Sequence, residues 1–282
     1  MKTILVPIDF SEQSKYALNF AAQLARKGKL QIQAINIIEG PQNHTFNTMG
    51  EGFANESEDY FFLKQLLEKT KENMANLLGG KAFSGIDIAG SVEIGNPYQS
   101  ISKAIADHKA DLVVMGSKGA SGIDEVLIGS NTEKVVRHAK CPVITIKSEV
   151  KLHEIQNIVL ATNLREVQSR LIEELKKLQA LTGAKLHLVK INTTNDFHTQ
   201  RQMQDEFVRY INDHQLANVH TAIYNETSEE EGILAYAEDV NADMIAIGTH
   251  GRTGLLHLLS GSIAEDLVNH SQIPVWTLSR KK

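Results

Sequence analysis

One cysteine, Cys141, stands among 282 residues, so no disulfide can form within the chain. It lies in Ala139-Lys140-Cys141-Pro142-Val143, at the entry to an apolar run, where a small packing residue is expected rather than a reactive thiol. Apolar stretches of the roughly 20 residues needed to cross a bilayer are missing, so no membrane is expected as a partner. Positive charge is not in excess: 29 Lys and Arg against 34 Asp and Glu leave a net charge of −5. Nothing in the bulk therefore attracts nucleic acid, and the terminal Arg280-Lys281-Lys282 reads as a solvated end. The first residues, Met1 to Asp9, carry no export signal and read as a strand, which makes the cytoplasm the expected location.

Catalytic signatures are missing as well. A Walker loop would need Gly-Lys followed by Ser or Thr, but Gly28-Lys29 precedes Leu30 and Gly80-Lys81 precedes Ala82. Neither Gly-x-Gly-x-x-Gly nor Gly-x-Ser-x-Gly occurs, which leaves a dinucleotide site and a hydrolase elbow without support. The eleven histidines show no His-Glu-x-x-His, and one cysteine makes a zinc cage unexpected. Glu229-Glu230-Glu231 reads as the first turn of a helix, where negative charge suits the dipole.

What is present is written twice. Asp111-Leu-Val-Val-Met-Gly-Ser-Lys-Gly119 aligns with Asp243-Met-Ile-Ala-Ile-Gly-Thr-His-Gly251. Gly129-Ser130 aligns with Gly261-Ser262, Cys141 to Ile146 with Ile273 to Leu278, and Ile4 to Asp9 with Ile158 to Asn163. A repeat of this length fits a duplicated domain rather than a solenoid unit. The boundaries read as 1–147 and 154–280, with a short polar linker near 148–155. In each half β-branched runs alternate with helical periodicity. The runs are 3–9, 31–38, 86–94, 111–116 and 142–147, then 156–162, 185–191, 219–224, 243–248 and 274–279. This alternation predicts an α/β fold, a parallel sheet with helices on both faces in each half. Residues 40–57 have turn formers and no periodicity, and read as a long loop. A lid or interface role is open there, with Phe46, Met49 and Phe53 as its apolar side chains.

The candidate site is the pattern Gly116-Ser-Lys-Gly119, nine residues, Gly129-Ser130, and its copy Gly248-Thr-His-Gly251, nine residues, Gly261-Ser262. Each copy starts where a strand ends and finishes where a helix begins. Glycine permits close backbone approach, and exposed N–H groups together with a helix N-terminus make an anion cradle, for which phosphate is the natural tenant. The hydroxyls of Ser130, Thr132 and Ser262 can add donors. Tight turning and close helix packing are the competing use of the same glycines, and the repeated spacing favours a ligand. Asp9, expected at the end of the first strand, accepts hydrogen bonds and would repel phosphate, so it suits the base or ribose end of a nucleotide. It could also serve as a helix cap. Pro7 beside it offers a flat apolar wall.

Taken together, Val6-Pro7-Ile8-Asp9, Met115-Gly116-x-x-Gly119, Gly129-Ser130 and Cys141-Pro142-Val143 resemble the universal stress protein family in its ATP-binding class, over essentially the whole chain. The resemblance implies a five-stranded parallel sheet per domain, related to the nucleotide alpha-hydrolase fold, and a pseudo-dimer of the two halves through their final strands, with a further homodimer left open. It implies an adenine nucleotide as partner: ATP, with ADP, AMP and accompanying Mg2+ left open. Pro7, Ile8, Asp9 and Ile37 would take the adenosine end. Met115, Gly116, Lys118, Gly119, Gly129, Ser130, Asn131 and Thr132 would take ribose and phosphates. The counterparts in the second half are Asn163, Ile247, Gly248, His250, Gly251, Gly261, Ser262 and Ile263. There Asn163 replaces Asp9 and Ala161 replaces Pro7, so the first half is expected to bind more surely. An enzyme is not expected. Adenylating relatives of the fold need Ser-Gly-Gly-x-Asp-Ser where this chain has Asp9-Phe10-Ser11-Glu12-Gln13-Ser14. An interaction or dimerisation module with vestigial sites, and an adenylating or slowly ATP-hydrolysing enzyme, are the alternatives to a nucleotide-sensing stress-response protein.

Overall fold

Strand β1, Thr3–Pro7, is apolar and its central residues are buried, as a strand covered on both faces requires. It is part of a computed structural model that describes residues 1–39, 56–118, 128–164, 169–249 and 263–279, with backbone alone for 56–60. The first half continues with α1 (Glu12–Gly28), β2 (Gln31–Ile38), α2 (Glu56–Leu78), β3 (Ile88–Ile94), α3 (Pro97–Asp107), β4 (Leu112–Gly116), α4 (Ser130–His138) and β5 (Val143–Ile146). The second half repeats it as β6 (Asn157–Ala161), α5 (Ser169–Thr182), β7 (Lys185–Asn192), α6 (Gln200–His214), β8 (Val219–Asn225), α7 (Glu229–Asp239), β9 (Met244–Thr249), α8 (Ile263–His270) and β10 (Val275–Ser279). Of the expected loop 40–57, residues 56 and 57 open α2, and 40–55 lie outside the described residues.

Local signals start the helices. Ser11 caps α1 by accepting the Ser14 N–H at 3.2 Å, and Asn96 caps α3 with Pro97 as its first residue. Thr199 and Gln202 close a reciprocal capping box on α6. Helix α1 buries Ala17, Leu18, Phe20, Ala21, Leu24 and Ala25 against the sheet, then stops at Lys29 in the left-handed region, φ 52°.

The strands form one ten-stranded sheet in the order β3-β2-β1-β4-β5-β10-β9-β6-β7-β8. All neighbours are parallel except β5 and β10, which run antiparallel with Trp276 opposite Ile144. Thr145 and Thr277 donate their hydroxyls across that seam, to Val275 O at 3.3 Å and Val143 O at 3.4 Å. The two parallel halves are thus joined edge to edge, which removes two exposed strand edges. One apolar layer, with α1, α2, α5 and α6, covers one face of the sheet, and α3, α4, α7 and α8 cover the other. The duplication extends to detail. Asp111 accepts the N–H groups of Lys2 and Thr3, as Asp243 accepts those of Gln156 and Asn157.

The linker is less solvated than its polar composition predicts. Leu152 and Ile155 are buried, and the side-chain amide of Gln23 on α1 bonds Leu152 N at 2.8 Å and Val150 O at 3.0 Å. No helix among the described residues is long and apolar enough to cross a membrane.

Trp276 is completely buried beside the seam. Trp276→Ala is expected to cost about 3–5 kcal/mol of unfolding free energy, read from denaturant titrations, and a loss below about 1 kcal/mol would contradict this packing. Burial pushes the Cys141 thiol up to about 12. It therefore stays protonated at pH 8, and a thiol reagent is expected to label it only once the chain unfolds; rapid labelling of the native chain would overturn its assignment to the core.

Candidate functional site

In each half the sheet order turns back between the first and fourth strands, so the chain leaves β1 and β4 toward opposite sides and opens a crevice at their carboxyl ends. A cavity of about 420 Å³ fills this crevice in the first half, within the range of small-molecule sites. It brings together Pro7, Ile8, Asp9, Ile37, Met115, Gly116, Lys118, Gly129, Ser130, Asn131 and Thr132, all expected from sequence. Gly119, His250, Gly251, Gly261 and Ser262 lie outside the described residues. Ile247 and Gly248 are in β9 where Met115 and Gly116 are in β4, and Ile263 is the first residue of α8.

Asp9 does not end the strand, as expected, but stands two residues beyond it. Ile8 N is tied to Ile35 O at 2.8 Å, and Asn36 on β2 donates its amide to Ile8 O at 2.7 Å, which fixes the chain as it leaves the sheet. Phe10 then takes a left-handed φ of 65°. Asp9 Oδ1 accepts from Ser11 N at 3.0 Å and Ser11 Oγ at 2.6 Å, so it holds the capping serine as well as facing the cavity. Capping and cavity lining are one arrangement here. In the second half Thr162 N bonds Val189 O, Leu164 has φ 60°, and Asn163 occupies the place of Asp9.

The glycine loop works differently from the sequence expectation at three points. First, a Cβ on Gly116 would come within 2.9 Å of Gln13 Cβ and 3.1 Å of Gln13 C. Its missing side chain therefore serves the close approach of α1, while its backbone lines the cavity. Second, several loop amides are already bonded: Ser117 N to Ile146 O, Gly129 N to Ser117 O, and Lys118 N to Gln13 Oε1 at 2.7 Å. Third, the Thr132 hydroxyl donates to Gly116 O at 3.1 Å and is buried, so it staples α4 to β4 instead of offering a donor to phosphate.

What remains for an anion is the first turn of α4. Gly129 is its N-cap and supplies no side-chain bond. The first bond back along the helix is Glu133 N to Gly129 O, so the N–H groups of Ser130, Asn131 and Thr132 are those a helix leaves without an internal partner. These three residues line the cavity at the helix end, which carries partial positive charge, and Lys118 lines the same space. Glu39 and Asp9 provide carboxylate oxygens elsewhere in the wall, and Ile37, Ile101 and Pro97 provide apolar surface. The cavity is therefore polarised, with donors on the α4 side and acceptors with apolar walls in addition. Among the described residues no cluster of three or more His, Cys, Asp or Glu could hold a metal.

Gln13, Ser14, Glu39, Pro97 and Ile101 were not anticipated. Asn96-Pro97, a helix start beside the carboxyl end of β3, was the one usable signal. Gln13 had none, because its partners Ser117 and Lys118 are about a hundred residues away in sequence.

The universal stress protein family model matches the chain twice, over residues 1–147 and 154–279. A Staphylococcus aureus (strain USA300) relative named as a universal stress protein is 29% identical over 167 residues, which is 58% of this chain and 95% of the relative. Among solved structures, a universal stress protein from Archaeoglobus fulgidus superposes with a TM-score of 0.75 at 22% identity, covering 99% of this chain and 98% of that one. One from Pseudomonas aeruginosa UCBPP-PA14 gives 0.66 at 16% identity, covering 99% and 93%. At these identities the structures speak for the fold.

Gly116→Ala is expected to lower stability by about 1–3 kcal/mol with no ligand present, the usual range for an overpacked contact. An unchanged melting temperature would return Gly116 to the role of a ligand-facing glycine.

Proposed function

Because the chain belongs to the universal stress protein family, we propose that its first half binds an adenine nucleotide, ATP in the first instance, and that the protein acts as a nucleotide-responsive regulatory module with little or no turnover. The observation that carries this is the polarity of the cavity. The amides of Ser130, Asn131 and Thr132 and the Lys118 side chain suit a polyphosphate, while Asp9 and Glu39 accept from hydroxyl or amino groups and repel phosphate. A nucleotide can enter such a site in one orientation only, with phosphates toward α4 and adenosine between Pro7, Asp9 and Ile37. Mg2+ would arrive with ATP as its chelate.

Turnover is not part of the proposal. The ionisable groups lining the cavity among the described residues are Asp9, Glu39 and Lys118. Asp9 already holds Ser11, and among the described residues the cavity wall offers no other carboxylate than Glu39 to serve as a base. The second half is proposed as the weaker site, since Asn163 brings no charge and Ala161 no proline wall. The halves are proposed to work as a pair across the β5–β10 seam, with the cell interior as their place of action. A second reading, an interaction module with a vestigial site, draws support from the loop amides that Gln13, Ser117 and Ile146 already occupy.

Titration of the chain with Mg-ATP separates the two. Ligand at a hundredfold over its dissociation constant stabilises the native state by about 2.7 kcal/mol, a rise of about 5 °C in melting temperature for a chain of this size. Millimolar Mg-ATP with no shift, together with no nucleotide released from the denatured protein on chromatography, would leave the interaction module as the reading.

A further inference from the structure

The contact between the halves reaches the edge of the first-half site. Asn269 on α8 accepts the main-chain N–H of Ile128 through its Oδ1 at 2.6 Å. Ile128 immediately precedes Gly129, whose own N–H is held by Ser117 O at 2.8 Å, and then Ser130, where the open amides of α4 begin. The main-chain oxygen of the same Asn269 accepts the ammonium of Lys147 at 2.5 Å. Lys147 follows β5, next to Ile146, whose carbonyl takes the Ser117 N–H. Burial first, then the charge of Lys118, holds the Lys147 ammonium below its ordinary pKa, so the two lysines sense one another. One residue of the second half thus grips both the exit of the glycine loop and a cation beside the lysine that lines the cavity.

The reciprocal contact differs. With the offset that aligns Gly129 with Gly261, Asn269 is the counterpart of Arg137. Arg137 crosses the seam to a helix side chain, Glu265, at 2.8 and 2.6 Å, and also holds Glu133 at 3.0 Å. Had position 269 been arginine, the symmetric partner would be Glu133. The shorter, neutral asparagine turns to the loop instead, and the seam is asymmetric at this position.

We infer that Asn269 is a positioning residue for the phosphate end of the first-half site, supplied by the other half of the chain, so that phosphate occupancy there is coupled to the α4–α8 contact. The inference rests on the nucleotide reading proposed above. The physical route is short. The peptide that ends at Ile128 cannot turn while Asn269 holds its N–H, nor the Ile128–Gly129 peptide while Ser117 O holds the Gly129 N–H, and these two peptides set the direction in which the chain enters α4. By linkage, whatever the α4–α8 contact contributes to phosphate affinity, bound phosphate returns to that contact. Adenosine, which would meet Pro7, Asp9 and Ile37, is not expected to sense Asn269.

The test is calorimetric titration of the full chain, and of its Asn269→Ala and Lys147→Met variants, with Mg-ATP and separately with adenosine, together with amide exchange at Ile128. Asn269→Ala is expected to weaken Mg-ATP about fivefold, the scale of one net hydrogen bond, to leave adenosine unchanged, and to speed exchange at Ile128. Lys147→Met removes only the cation, keeps an apolar stem of similar reach, and is expected to weaken Mg-ATP in the same selective way should the alanine variant fail to fold. Equal losses for Mg-ATP and adenosine, or none in either variant, would overturn the coupling while wild-type binding preserved the nucleotide reading. A wild-type chain that takes up neither ligand would overturn both.

Discussion

A parallel sheet buried on both faces leaves its polar chemistry nowhere to go but the ends of its strands. Here the central strands are buried and mostly apolar, and helices close over them from either side. Only where β1 and β4 diverge does the chain open a crevice at their carboxyl ends, and the polar features of the first half follow from that opening. The Ile8 N–H returns to β2, Asp9 turns to hold Ser11, and α4 begins with its amides toward the gap. The anion proposed for that place would meet the dipole of a helix end as well as Lys118.

The two halves keep the scaffold and vary the lining. Register places Asn36 of β2 and Lys190 of β7 at equivalent positions, because Pro7 pairs with Ile35 as Ala161 pairs with Val189. Asn36 spends its amide on Ile8 O, while Lys190, almost wholly buried, pairs with Asp196 at 2.5 Å, and His198 joins the same carboxylate at 3.1 Å. A buried ammonium of this kind is tolerated because it is paired, and losing Asp196 would strand it. The neutral Asn163 after β6 adds to the contrast. Duplication has preserved the backbone route while the electrostatics of the two carboxyl edges diverged.

Joining the halves through β5 and β10 does more than cover two edges. It sets α4 beside α8, so Arg137 and Asn269, equivalent by descent of the repeat, face each other's half with different chemistry. The seam is built from main-chain pairing and two threonine hydroxyls. The first-half glycine loop touches it at Ile128 and near Lys147. This is how a tandem chain can make one site depend on both domains without adding a separate regulatory element.

Much of this was legible from residues alone, because it is local. Runs of β-branched residues placed the described strands to within about two residues, and the repeated glycine spacing located the start of α4 at the first-half cavity. Which amides in that loop stay open was not legible. It depends on Gln13 meeting Lys118, on α1 pressing against Gly116, and on Asn269 reaching Ile128, contacts between residues about a hundred or more apart in sequence. Periodicity and spacing record what neighbours along the chain can do. They carry no trace of which distant side chain takes a given donor, because that is decided only when the helices settle on the sheet and the two halves close along their shared edge.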